Sequence, residues 1–293
     1  MKRRLLKIAA VLLIWLALVW PIPQSFYNRL TLALSDFLHF PLAIFLFWLV
    51  AGLVPSRRRA AAIVLIAAAL MECVQPLLGR SASIADFAYA ALGVIAAAML
   101  FRIPKLKTAF ALLCALALIP AGSVVWDQCS ARRDFPLLAG FESPLEKGRW
   151  TLNGVSMNRV KFNSTQGEFA AEVSVREKDF DYPGLFLEDM PRDWSGAKAL
   201  QFDIFRPAPA LRDFSVRIDD QKFNPAYRNR FQKSFVLKQG MNRIRIDREE
   251  FEVTSGGAPL DLSNIMRIGL FYLAAEKGEV FFVDDVRLII GEQ

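Results

Sequence analysis

The chain has 293 residues, 54% of them hydrophobic, and a formal net charge of +7. That charge is unevenly placed: Asp134 to Gln293 hold 22 Lys+Arg against 25 Asp+Glu, leaving 14 basic and 4 acidic residues before them. The basicity therefore reads as a membrane-topology signal and excludes a nucleic-acid footprint, which needs a basic face on a folded surface. The only histidine, His39, excludes a multi-histidine metal site, and the C-terminal half has no cysteine from which to build a disulfide.

Lys2, Arg3, Arg4 and Lys7 introduce an apolar run that ends at Trp20, with Pro21 as breaker. No small-x-small cleavage site follows, so a retained first transmembrane helix is expected over 5–20. From Gln24 to Ser35, Phe26, Leu30 and Leu34 recur at i, i+4, i+8. That spacing fits an interfacial helix, and a loop packed on the bundle fits equally. Further spans are expected over 37–54, with Pro41 in the first turn, and over 60–78, 84–101 and 108–126. The first part is thus a membrane α-helical bundle of about five transmembrane helices, residues 1–126.

Alternate loops fix an orientation. Lys2, Arg3, Arg4, Lys7, Arg57, Arg58, Arg59, Arg102, Lys105 and Lys107 fall on one side. Arg29 and Arg80 fall on the other, joined after the fifth span by Arg132 and Arg133. The excess of basic loops marks the cytoplasmic face. Five crossings of an inner (plasma) membrane then place the C-terminal half outside the cytoplasm. The lipid bilayer is the first expected partner.

Six polar residues lie in or beside the apolar runs: Asp36, His39, Glu72, Gln75, Arg80 and Asp86. Asp36/His39 and Glu72/Gln75 are i, i+3 pairs that share a helix face. A lone carboxylate inside a span is costly, so Glu72 needs a partner, with Arg80 the first candidate and His39 the second. As chemistry, His39 and Glu72 could form an acid–base pair while Arg80 binds phosphate or carboxylate. The alternatives are a mixed histidine–carboxylate metal site and a buried network that only fixes helix packing. Ala90, Ala91, Gly93, Ala97 and Ala98 make the fourth span narrow enough for close helix approach.

This stretch resembles the VanZ-like family of small integral membrane proteins. The family pattern runs Asp-Lys-x-x-His, Glu-x-x-Gln, Arg, then Asp-x-x-x-Asn-x-x-Gly. Here it is matched by Asp36 and His39, Glu72 and Gln75, Arg80, and Asp86 with Gly93. The chain departs from it at Phe37 and Ala90, where the family has Lys and Asn. The resemblance covers about 5–101 and implies an envelope-associated membrane protein with no settled reaction.

Residues 127–137 read as a charged linker. From 138 to 293 the pattern alternates with period two, as in 168–175, 199–205, 214–219, 242–247, 266–273 and 279–290, between turn-rich pieces. Many short strands without amphipathic helices predict an all-β antiparallel sandwich. The pieces DWSGAKALQFDIF and VFFVDDVRL resemble galactose-binding-domain-like jelly rolls, which include many carbohydrate-binding modules. That resemblance implies an envelope or extracellular glycan as partner.

Two features of this half bear on binding. The stretch 219–231 sets Phe223, Tyr227 and Phe231 among Asn224, Arg228 and Arg230. Sugars stack an apolar ring face on aromatics and hydrogen-bond their hydroxyls to such neighbours, although the aromatics could instead pin a loop to the sandwich. In related jelly rolls, carboxylates placed like Glu142, Asp284 and Asp285 help to hold a structural calcium ion; ordinary exposed strand charges are the alternative. No nucleophile elbow, phosphate loop or Ser/His/Asp set occurs. An enzyme centred on Glu72, His39 and Arg80, a glycan-binding protein and a non-catalytic scaffold with a protein partner all remain open.

Overall fold

The computed structural model describes residues 2–19, 28–78, 82–102, 107–176, 181–209, 212–220 and 227–291. It divides into two compact units, Met1–Val125 and Trp126–Gln293.

The helices are α1 (Lys2–Val19), α2 (Arg29–Ala51), α3 (Arg57–Val74), α4 (Ile84–Arg102) and α5 (Lys107–Asp134). A single 3-10 turn, Gln75–Leu78, extends α3. Among the described residues, three stretches are long and apolar enough to cross a membrane: Arg29–Ala51, Arg57–Leu77 and Thr108–Asp134. The apolar helix Ile84–Leu100 is shorter. The expected count of about five spans is therefore not supported, and Trp20, where the first span was to end, lies outside the described residues. Large apolar side chains such as Leu38, Phe45, Trp48, Ile66, Leu70 and Ile119 are exposed on these helices. Such a surface is unfavourable in water and matched by hydrocarbon, so the unit suits a membrane.

Helix α2 begins earlier than expected. The Asn28 side chain accepts a hydrogen bond from Thr31 N at 2.8 Å and caps it. Residues 29–35 are thus its first turns, not a separate interfacial helix or loop; residues 24–27 lie outside the described ones. Pro41 falls in the helix interior, not in the first turn. Packing is close at Gly93 of α4, where an added Cβ would lie 2.4 Å from the Phe40 carbonyl oxygen and 2.9 Å from Ala43 Cβ. Phe47, Ala60, Val64, Ala90, Val94 and Ala97 fill the core beside it. The Tyr89 hydroxyl donates to the Ala117 carbonyl at 3.2 Å.

The second unit starts inside α5. Residues 127–134, expected to form a linker, are the last turns of that helix, which stops before Pro136, a residue whose predecessor disfavours the α conformation. Asp127 explains the continuation. It is 1% exposed and pairs with Arg149, itself 5% exposed. Arg149 Nε donates to both Asp127 carboxylate oxygens at 3.0 Å.

Among the described residues eleven strands follow: β1 (Leu137–Ala139), β2 (Trp150–Asn153), β3 (Val155–Val160), β4 (Ala170–Val175), β5 (Gly184–Leu187), β6 (Ala197–Arg206), β7 (Arg212–Asp220), β8 (Phe231–Leu237), β9 (Gly240–Asp247), β10 (Ile265–Tyr272) and β11 (Val280–Ile290). They form two antiparallel sheets, β3-β4-β11-β6-β9, with β1 also on β11, and β2-β5-β10-β7-β8. The expected all-β sandwich is present. Alternation builds its core: Phe202 and Ile204 of β6, Phe214, Val216 and Ile218 of β7, and Ile268, Leu270 and Tyr272 of β10 point inward. Edge strands β9 and β8 carry charge outward: Arg243, Arg245 and Asp247 on one, Lys233 on the other.

Candidate functional site

The outer face of the five-stranded sheet carries a groove of about 330 Å³ lined by residues of all five strands and their flanks. A volume of this order lies at the lower end of small-ligand clefts. Its aromatic part is Tyr182, Phe186 and Phe271. Phe186 stacks on Phe271 with ring centroids 5.8 Å apart, and Tyr182 meets Phe271 edge-on at 5.6 Å. Tyr182 is 51% exposed, so its ring is open to a ligand. Gly269 shapes the floor: a Cβ there would come within 2.7 Å of the Phe186 ring, so glycine lets that ring lie flat across the sheet.

The polar part is pre-arranged. Asp219 accepts from Arg217 Nε at 2.8 Å and from Arg267 Nε at 2.7 Å, which fixes both guanidinium groups. The Arg267 guanidinium lies 5.5 Å from the centre of the Phe186 ring. Burial is the largest influence on Arg217 and holds its pKa below the usual arginine value in spite of Asp219. Thr151 donates to Glu188 at 3.0 Å. Asn153 donates to the carbonyls of Asp181 and Tyr182 and so fixes the tyrosine's loop. Gln232 Oε1 is buried and makes no hydrogen bond among the described residues. The arrangement offers an apolar platform ringed by oriented donors and acceptors.

Of the residues expected to bind glycan, Phe223 and Asn224 lie outside the described residues, as does the side chain of Tyr227. Tyr227–Asn229 form a 3-10 turn on which Arg228 is exposed. Phe231 is corrected: it opens β8, pairs with Ile218 and is buried in the core at 6% exposure. Strand alternation turns it inward, so it offers no stacking face. Arg230, from the same stretch, does line the groove. The groove itself escaped sequence reading because its residues are scattered over five strands. One signal was there to find: Phe271, between the inward Leu270 and Tyr272, makes β10 apolar on both faces.

Glu142, Asp284 and Asp285, considered for calcium, have separate partners. Glu142 Oε1 accepts from Glu168 N and Phe169 N, each at 2.9 Å. Asp284 Oδ2 accepts from Thr165 N at 2.6 Å and Gln166 N at 2.8 Å, and Asp285 bonds to Arg287. Burial is the largest influence on Asp284 and raises its pKa. A β-bulge aims Asp284: the β11–β6 register shifts between Asp284 and Arg287, and Asp285 takes φ 55°. Glu142 and Asp284 thus hold loop backbone, and Asp285 holds the Arg287 side chain.

In the helical unit, His39 of α2, Glu72 of α3 and Asp86 of α4 converge. One ligand-capable atom from each lies within 4.8 Å of the others. His39 and Asp86 are buried, at 7% and 4% exposure, with Nδ1 and Oδ1 3.7 Å apart. His39 Nδ1 is 3.1 Å from the Ser35 carbonyl, and Glu72 accepts from Ser83 N at 2.7 Å. Asp36 is half-buried and its charge bears on Asp86. Gln75 is fully buried, and neither of its amide atoms makes a hydrogen bond among the described residues. Arg80, expected as the partner of Glu72, lies outside the described residues. All three cysteines are free, and Cys73 is exposed on α3.

No family model matches the chain, and no curated protein matches it. Among solved structures, the sandwich resembles carbohydrate-binding modules. A family 11 module from Clostridium thermocellum, solved with a β-1,3-1,4-mixed-linked tetrasaccharide, is 24% identical over 53% of this chain and 95% of its own, with a TM-score of 0.41. The family 11 module of the cellulosomal cellulase Lic26A-Cel5E of the same organism is 25% identical over 53% and 94%, with a TM-score of 0.40. A family 22 tandem domain from Paenibacillus barcinonensis Xyn10C is 19% identical over 53% and 50%, with a TM-score of 0.37.

Proposed function

We propose that this is a glycan-binding membrane protein of the bacterial cell envelope, and that its sandwich holds the sugar in the groove over β2, β5, β10, β7 and β8. The observation that carries the reading is the pairing of an open aromatic platform, Tyr182 and Phe186, with fixed hydrogen-bonding groups around it. A pyranose presents an apolar C–H face and a rim of hydroxyls, and such a groove meets both demands. The apolar outer surface of the helices supports a bilayer as the first unit's surroundings. The motif residues Asp36, His39, Glu72, Gln75, Asp86 and Gly93 support a VanZ-like helical unit that binds an envelope component. Basic loops at the N-terminus and at Arg57–Arg59 support a cytoplasmic N-terminus. An odd number of crossings then leaves the sandwich extracytoplasmic.

The test is calorimetric titration of the full chain in nanodiscs with peptidoglycan fragments, mixed-linked β-glucan and other common polysaccharides. Saturable binding is expected, weakened at least tenfold in Tyr182→Ala and in Gly269→Ala, whose new methyl group would displace Phe186. The reading fails if folded protein binds no glycan, or if both variants bind as the parent does. Saturable capture of a protein by this face, without glycan binding, would instead make the chain a scaffold.

A further inference from the structure

The convergence of His39, Glu72 and Asp86 has physical features that a packing network does not require. The three side chains come from three different helices and line one cavity of about 30 Å³ between α2, α3 and α4. A space of that size holds a small ion with a bound water and little else. The rest of its lining, including Leu42, Leu46, Val64 and Met71, is apolar. Two carboxylates facing so small a space repel one another and lose hydration, a cost that needs positive charge close by. Among the described residues, neither Glu72 nor Asp86 forms an ion pair with lysine or arginine; Asp86 has His39 Nδ1 at 3.7 Å.

The histidine is set up as a ligand. Nδ1 faces the Ser35 carbonyl at 3.1 Å and can satisfy it only as N–H. The proton is thereby placed on Nδ1, leaving the Nε2 lone pair available. Nε2 is buried and has no hydrogen-bond partner among the described residues, and the same holds for Asp86 Oδ1. Glu72 is oriented by Ser83 N–H at 2.7 Å, as backbone groups commonly orient ligating carboxylates. Ser83 Oγ in turn accepts from Asp86 N at 3.3 Å, which ties the two acidic ligands to one turn.

We propose that His39, Glu72 and Asp86 together bind one divalent first-row cation of the zinc or manganese class. One imidazole nitrogen and two carboxylate oxygens suit such ions, and the two negative charges offset the 2+ charge within an apolar surround. Ligand atoms sharing one ion of this kind lie roughly 3–4 Å apart, and a ring nitrogen of His39 and one carboxylate oxygen each of Glu72 and Asp86 lie within 4.8 Å of one another. Three protein ligands leave a coordination position for water or an anionic group. The proposal does not rest on glycan binding by the sandwich.

The test uses the full chain, purified through a histidine-free tag, stripped with chelator and re-equilibrated with Zn²⁺ or Mn²⁺ alone. About one ion per chain is expected. Because His39 is the only histidine, imidazole ¹⁴N coupling to Cu²⁺ seen by pulsed EPR reports on that residue alone. The coupling should appear in the parent, vanish in His39→Gln and fall away when Zn²⁺ competes. Glu72→Gln and Asp86→Asn should each weaken Zn²⁺ binding at least tenfold. Folded parent protein that retains no ion, or an ion bound without imidazole coupling, overturns the proposal even if every variant fails to fold. So does full Zn²⁺ affinity in folded His39→Gln.

Discussion

Replacing Asp127 by alanine should destabilise the second unit strongly. The carboxylate is 1% exposed and receives Arg149 Nε through both oxygens at 3.0 Å, so its removal leaves a buried guanidinium without its main counter-charge. Burial alone would lower the Arg149 pKa, but Asp127, Glu146 and Asp189 together raise it, so the arginine stays charged. Breaking a buried pair from one side costs about 3–5 kcal/mol. Two carbonyls remain as acceptors, Asp127 O at 3.1 Å and Leu138 O at 3.5 Å, which favours the lower end. At ~2–4 °C per kcal/mol for a domain of this size, about 3 kcal/mol corresponds to a melting temperature lower by about 6–12 °C. The assay is thermal unfolding of the full chain in detergent, followed through the buried Trp150 and Trp194. Asp127→Ala/Arg149→Met, which removes both charges, should recover most of the loss. A shift below about 3 °C in the single variant, or no recovery in the double one, would refute the reasoning.

Gly93→Ala should lower the folded yield of the helical unit, since the new methyl group meets the Phe40 carbonyl at 2.4 Å and α2 must move away. Gly122→Ala, with nothing within 4 Å of the added carbon, should not; size-exclusion profiles in detergent compare the two. Asp203 gives a pH signature. Burial pushes its pKa up, but the hydrogen bonds and charge of Arg243 outweigh that and hold it below the ordinary value. A depressed folded-state pKa adds stability above the unfolded value of about 4, and that stability is lost as pH falls through the folded value. The stability gap between the parent and Arg243→Gln, measured by denaturant unfolding, should therefore shrink between about pH 5 and about pH 2. A gap that grows on acidification would reverse the sign and sink the assignment.

Local periodicity carried the long strands: the segments ALQFDIF and EVFFVDDVRLII show their alternation directly, and β6 and β11 lie there. Short strands such as β5 were missed because four residues, GLFL, establish no period. The end of α5 was missed because Asp127 reads as exposed polar until Arg149, far along the chain, is seen to bury it. His39, Glu72 and Asp86 could be picked out as polar residues in or beside apolar runs, since hydrocarbon makes such residues expensive. That they share one cavity depends on the close approach at Gly93, a three-dimensional fact. The groove was least legible because its outward side chains alternate with core residues on separate strands.

The charged edge strands have a consequence for crowding. If the apolar helices lie in a bilayer, as proposed above, the sandwich is concentrated in two dimensions, where neighbouring copies collide far more often than in dilute solution. The open hydrogen-bonding edges of β8 and β9 would then invite pairing between copies and growth of mixed sheets. Lys233 on β8, and Arg243, Arg245 and Asp247 on β9, place desolvation cost and repulsion at those edges. The local concentration that the sandwich tolerates is thus written partly into side chains that take no part in its groove or its core.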